Sequence, residues 1–247
     1  MNSISMAFFL TTLAGLSTMI GIIPIFIKIT NKDKIIASSL AFASGVMLCV
    51  SITDLIPESI TMLNNYFNGF IVVILSFIFV VIGIIISSLI DKYLPTNNKE
   101  NLYRVGIISM LAIILHNLPE GIATFISTTK DTSLGISLAT SIALHNIPEG
   151  ISISVPIYYS TKSKTKACFY TFISALSEPL GAIITYLFLL PFVNDILLGL
   201  LFSLIAGIML QISLTELLPE SNSYKYPKLT NTFFLIGIIF MLLKIFI

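Results

Sequence analysis

Long apolar runs alternate with short polar breaks along the chain. Cutting at the polar clusters leaves apolar segments near residues 5–29, 35–60, 68–90, 103–128, 133–159, 165–190, 194–218 and 230–247. A hydrocarbon core of about 30 Å takes about 20 helical residues, so most of these runs can span it, the last only just. Lipid cannot satisfy exposed backbone amides, and short alternating barrel strands do not occur, so each run is expected to be a helix. The pattern predicts an all-α polytopic membrane protein of eight transmembrane helices.

Two repeats lie within that pattern. In the second predicted helix Gly45, Met47, Leu48, Ser51, Thr53, Asp54, Leu55, Pro57, Glu58 and Ser59 stand in an order that returns in the seventh. There the residues are Gly207, Met209, Leu210, Ser213, Thr215, Glu216, Leu217, Pro219, Glu220 and Ser221, at one constant spacing. The fourth and fifth helices share His116, Asn117, Pro119, Glu120, Gly121 and His145, Asn146, Pro148, Glu149, Gly150. Each repeated pair is an odd number of helices apart and so runs in opposite directions. That is an inverted-topology repeat, helices one to three against six to eight. Secondary transporters are commonly built this way, with a site near the midplane on helices interrupted by Pro or Gly.

Composition agrees with a lipid solvent. Apolar residues make up 56% of the chain and charged residues 10%, with a mean hydropathy of +1.00; soluble domains carry about 25% charged residues. No stretch is left for a separate soluble domain, so residues 1–247 are expected to form one membrane domain. The first run, Ser5 to Ile29, is too long for a signal-peptide core and lacks a basic leader, so it is expected to be retained. Cys49 and Cys168 lie apart in apolar runs and suggest packing rather than a disulfide or thiolate metal site.

The basic residues are sorted by connection. Lys28, Lys32, Lys34, Lys92, Lys99, Arg104, Lys162, Lys164, Lys166, Lys225 and Lys228 fall in the odd connections, and only Lys130 in an even one. Lys244 lies in the last helix. The positive-inside rule then puts the odd connections in the cytoplasm and both termini outside. A net charge of +1 without a basic patch gives no reason to expect nucleic acid as a partner.

The chain's two histidines both sit in His-Asn-x-Pro-Glu-Gly. Residues four apart share a helix face, so His116 projects with Glu120 and His145 with Glu149, while Asn117 and Asn146 border those faces. Pro119 and Pro148 should kink their helices and free the carbonyls of Leu115 and Leu144. Gly121 and Gly150 should let neighbouring backbone approach. Glu178, followed by Pro179, is a third carboxylate in mid-run, with no Lys or Arg in the central parts of helices four to six.

An intramembrane carboxylate costs at least about 2.5 kcal/mol, so an acid there is a functional candidate. A divalent cation would be its counter-charge; protons that keep the acids neutral are the alternative. For a single motif, a packing kink with a satisfied polar cluster is the competing explanation, and the duplication weighs against it. Imidazoles with carboxylates suit Zn, Fe(II), Co, Ni or Mn, whereas Ca or Mg would take oxygen alone. At the ends of the second and seventh helices, Asp54 with Glu58 and Glu216 with Glu220 could concentrate cations at the two mouths, or simply be solvated helix ends. Met47 and Met209 could lend thioethers, though packing is the commoner role.

The paired motifs, with Ser177-Glu178-Pro179 following, closely resemble those of the ZIP (Zrt/Irt-like) metal transporters, especially the bacterial ZupT-like branch. The resemblance covers essentially the whole chain. It implies eight helices with the fourth and fifth central, no prosthetic group, and uptake across the plasma membrane of zinc, with iron, manganese, cobalt and cadmium as further cargo. It also implies a binuclear site. His116, Glu120, His145 and Glu149 would form one position, and Asn117, Asn146 and Glu178 would complete a second that shares the glutamates. A homodimer is a further implication. Many relatives carry a histidine-rich loop between the third and fourth helices, but residues 91 to 104 hold no histidine. Two other readings use the same ligands, an intramembrane zinc-dependent hydrolase and a passive metal-selective channel.

Overall fold

The structure is a computed structural model that describes residues 2–27, 31–93, 101–190, 192 and 194–243. Lys28, Lys99 and Lys244, used in the charge count above, lie outside the described residues. Those described are almost entirely helical, and no strand occurs among them. In chain order the helices are α1 Ser3–Phe26, α2 Lys32–Asn64, α3 Gly69–Tyr93, α4 Asn101–Lys130, α5 Thr132–Thr161, α6 Lys164–Leu189, α7 Asp195–Ser223 and α8 Pro227–Leu242. The second half of α1, Thr18–Phe26, is wound as a 3-10 helix around Pro24.

Several starts are set by side chains that take up the free amides of a first turn. Asn2 accepts from Ser5, Asn31 from Lys34, Asp131 from Ser133, Ser163 from Lys166 and Asn194 from Leu197. Six helices are long and apolar enough to cross a membrane: α1, α2, α3, α4, α6 and α7. Helix α5 has the length, with 30 residues, but its run of Ser, Thr, His, Asn and Glu lowers its apolarity. Helix α8 has 16 described residues. The chain is a polytopic helical membrane protein.

Packing sorts the helices into two groups. Helices α1, α4, α5 and α6 pack on one another, as do α2, α3, α7 and α8; the groups meet mainly where α2 lies on α5 and α4 on α7. Two buried polar contacts tie α2 to α7, with the Ser44 hydroxyl 3.0 Å from the Ser213 carbonyl and the Ser213 hydroxyl 2.8 Å from that of Ser44. Both helices widen into a π-helical turn at repeated positions, Ser51–Leu55 and Ser213–Leu217.

Prolines act differently from place to place. Helices α4 and α5 continue through Pro119 and Pro148. Helix α6 breaks at Leu176, between Lys164–Ala175 and Ser177–Ile184. That break sits beside Glu178 and Pro179. Cys49 and Cys168 are free thiols.

Candidate metal site

Helices α4 and α5 cross with their repeated motifs face to face. Nε2 of His145 lies 3.0 Å from Oε1 of Glu120, and Nε2 of His116 lies 3.3 Å from that same oxygen. His116 also stands 3.2 Å from the Glu149 carboxylate. One ligand atom each from His116, Glu120 and His145 falls within 4.8 Å of the others, close enough for one ion to touch all three. The two rings are tilted, with centroids 6.1 Å apart.

Glycines allow this crossing. A Cβ on Gly121 would stand 2.1 Å from the Glu178 carbonyl oxygen, and one on Gly150 would stand 1.9 Å from that of Thr18. Gly121 thus seats α4 against the broken part of α6, and Gly150, its repeat, seats α5 against α1. Glu178 is thereby brought beside the α4–α5 crossing.

The two asparagines hold the remaining carboxylates. Nδ2 of Asn146 donates to the Ala14 carbonyl at 2.9 Å and to Oε1 of Glu178 at 2.5 Å. The Asn117 amide, turned so that both its bonds are made, donates to the Ile113 carbonyl at 3.1 Å and to Glu149 Oε2 at 3.2 Å. These amides act as donors toward the carboxylates; as metal ligands they would have to turn over and present oxygen.

All seven of these side chains are buried, none more than 3% exposed. Several polar atoms find no partner there: Nδ1 of His116, Nδ1 of His145, Oδ1 of Asn146 and Oε2 of Glu178 are buried without a hydrogen bond among the described residues. Buried polar atoms are rarely left so, and a cluster of orphaned acceptors around three carboxylates has the chemistry of a cation site.

A cavity of about 570 Å³ connects the cluster to one end of the molecule. Glu120 and His145 line its buried part; Asp54, Glu58, Lys130 and Asp195 line its mouth. Asp54 and Glu58 thus stand where a mouth was expected, on α2. Glu216 and Glu220, buried on α7, do not line this cavity; Glu216 lies close to Asp91 of α3, near the Arg104 end of α4. Met47 and Met209 are packed in the apolar core.

Asp91, Arg104, Lys130 and Asp195 were not singled out from sequence as site residues. All four sit at helix ends, where charges are ordinary, so only the fold shows that Lys130 and Asp195 line the cavity and that Asp91 pairs with Arg104.

A polytopic helical bundle with a buried histidine–carboxylate cluster, reached through an acid-lined cavity, has the build of a membrane metal carrier. Sequence comparison agrees: residues 96–244 match the ZIP Zinc transporter family. The chain is 45% identical to the Zinc transporter ZupT of Clostridium perfringens, over 91% of this chain and 89% of that protein. It is also 45% identical to the Zinc transporter ZupT of Streptococcus mutans, over 88% of each, and 37% identical to that of Campylobacter jejuni, over 90% of this chain and 89% of that protein. The chain belongs to the ZIP family, and within it is ZupT-like.

Proposed function

We propose that this protein carries zinc into the cytoplasm across the plasma membrane, and with lower selectivity iron, manganese, cobalt and cadmium. The observation that carries the reading is the buried cluster of His116, Glu120, His145 and Glu149 at the inner end of an acid-lined cavity. The zinc transporters among its relatives supply the cargo. Imidazole and carboxylate without thiolate bind zinc well and release it readily, as a carrier requires.

The site is binuclear in this account. His116, Glu120, His145 and Glu149 hold the first ion. Asn117, Asn146 and Glu178 complete a second position that shares the glutamates, after the asparagines turn their oxygens inward. The 2.5 Å contact from Asn146 to Glu178 and the orphaned Asn146 Oδ1 support such a turn, since the amide nitrogen now stands toward a carboxylate that a cation would claim.

Helices α5 and α8 complete eight spans: α5 has 30 residues, its later half largely buried among its neighbours, and α8 has 16 described residues. The helices form an inverted repeat. Its support is the equivalent use of repeated residues, with Gly45 seated on the Phe234 carbonyl of α8 and Gly207 on the Val80 carbonyl of α3. The matching π-helical turns in α2 and α7 add to it. Basic residues concentrated in the odd connections support outside termini and, with them, an outer face for the mouth beside Lys130.

Transport follows from which group carries what. Every proposed ligand rides on α4, α5 or α6, whereas Asp54, Glu58, Asp91, Asp195, Glu216 and Glu220 belong to α2, α3 and α7. Moving the first group against the second would carry the ligand cluster, intact, from one acidic mouth to the other. The test is metal accumulation by cells expressing the protein: zinc should rise above control, and variants Glu120→Gln and His145→Ala, inserted at equal levels, should abolish the rise. Cells that gain no zinc, iron, manganese, cobalt or cadmium contradict the reading.

A further inference from the structure

Helix α4, which carries half the ligand cluster, ends in a cation on both sides. Arg104 stands at its start and Lys130 at its finish, separated along a helix of 30 residues by about 40 Å at 1.5 Å per residue. Each faces carboxylates of the other helix group.

At the Arg104 end the charges are paired. The guanidinium is bonded to the Asp91 side chain, and Nη2 also donates to the Asp91 carbonyl at 3.2 Å. Only 16% of the Arg104 side chain and 29% of that of Asp91 is exposed. Asp91, on α3, lies in turn close to Glu216 of α7, and Glu220 is one turn further on. One Arg104 side chain therefore ties the ligand-bearing group to α3 of its partner group, beside the acidic end of α7. At the Lys130 end the charges are apart. Lys130 is exposed, lines the open cavity with Asp54, Glu58 and Asp195, and makes no ion pair among the described residues.

The two acidic docks are repeats of one another, Asp54 and Glu58 matching Glu216 and Glu220. A stiff helix that shifts along its partners can seat one terminal cation while the other is withdrawn. We propose that Arg104 and Lys130 form a reciprocal latch. In this structure Arg104 holds its end shut while the Lys130 end is open. In the opposite state Lys130 seats on Asp54, Glu58 and Asp195 as Arg104 leaves Asp91.

The latch suits the cargo. A cation leaving the ligand cluster toward the Arg104 end meets carboxylates whose existing counter-charge is a tethered guanidinium, so metal and Arg104 compete for them. Nε of Arg104 is buried without a partner among the described residues, which makes the seated state easier to leave. The inference rests on the carrier reading in requiring that the two groups move.

The test labels the cavity. Ser141, which lines it, is replaced in a chain carrying Cys49→Ala, Cys168→Ala and Ser141→Cys, and the purified protein in lipid nanodiscs is modified with a water-soluble maleimide. Removing Arg104 with Arg104→Ala should slow labelling about fivefold, the population shift expected from one partly buried ion pair. Lys130→Ala should leave the rate equal or raise it. Reversing the pair, Arg104→Asp with Asp91→Arg, should restore the parent rate, which a merely misfolded Arg104→Ala protein could not explain. An unchanged rate in Arg104→Ala, or equal slowing by both alanine variants, overturns the latch. Zinc flux through the parent, measured alongside, separates the two ideas: flux with insensitive labelling removes the latch alone, and responsive labelling without flux removes the carrier.

Discussion

Oε1 of Glu120 on α4 lies 3.0 Å from Nε2 of His145 on α5, so an imidazole–carboxylate pair is completed across two helices rather than along one. Glu120 also reaches His116 of its own helix, which makes it the carboxylate common to both imidazoles. Glu120→Gln removes that shared charge while keeping the shape. Zinc affinity of the purified protein should fall by more than about 100-fold, beyond what losing an outer-shell partner costs. Titration calorimetry with zinc measures it; affinity within a few-fold of wild type would place the ion elsewhere.

Gly121 and Gly150 set the spacing of the site rather than its chemistry. An added methyl at Gly121 would stand 2.1 Å from the Glu178 carbonyl, and backbone cannot yield as a side-chain tip can. Gly121→Ala should lower stability by about 1–3 kcal/mol and weaken zinc binding with it. Thermal unfolding in detergent, read by tryptophan-free scattering and by cysteine accessibility, checks the first effect. A Gly121→Ala protein as stable as wild type would contradict the close approach of α4 and α6.

Asn146 holds Glu178 to α1 through Ala14. Asn146→Ala leaves a buried carboxylate without its donor, at a cost of about 1–3 kcal/mol. Added zinc should recover part of the lost thermal stability, because a ligand that binds only the folded state stabilises it. A variant as stable as wild type would contradict the role of Asn146 in holding Glu178.

Far more of the site than of its approaches was legible in the sequence. His116, Glu120, His145 and Glu149 stood out because a polar pattern repeated twice in apolar runs has little other use. Helix periodicity also placed each imidazole with its carboxylate. Their partners in space were less legible: His145 lies beside Glu120 of the neighbouring helix, and a crossing of helices leaves no mark in one-dimensional spacing. Pro119 and Pro148 were expected to kink α4 and α5, yet both lie within continuous helices, whereas α6 breaks two residues before Glu178. Neighbouring helices brace those segments on several sides. Met47 offered a possible thioether by its position near Asp54, but its side of α2 faces the apolar core. Asp195 and Lys130 gave no signal, because a charge at a helix end needs no special reason.

The mouth residues act at long range. Asp54→Asn, Glu58→Gln and Asp195→Asn together remove three negative charges from the cavity lining and should raise the zinc concentration for half-maximal uptake several-fold. The difference should shrink as salt rises, since exposed charges are screened over about 8 Å at physiological ionic strength. A salt-independent rise would mean that these carboxylates act on the ion by contact rather than through their field.

Radioactive zinc uptake into liposomes containing the purified protein tests the central claim most directly, because no other transporter is present. Wild type should fill the vesicles with zinc in a saturable manner, and Glu120→Gln and His145→Ala, reconstituted in equal amounts and equally monodisperse, should fill them no faster than empty liposomes. Uptake by those variants at the wild-type rate, or none by wild type, would contradict a zinc carrier built around the α4–α5 crossing.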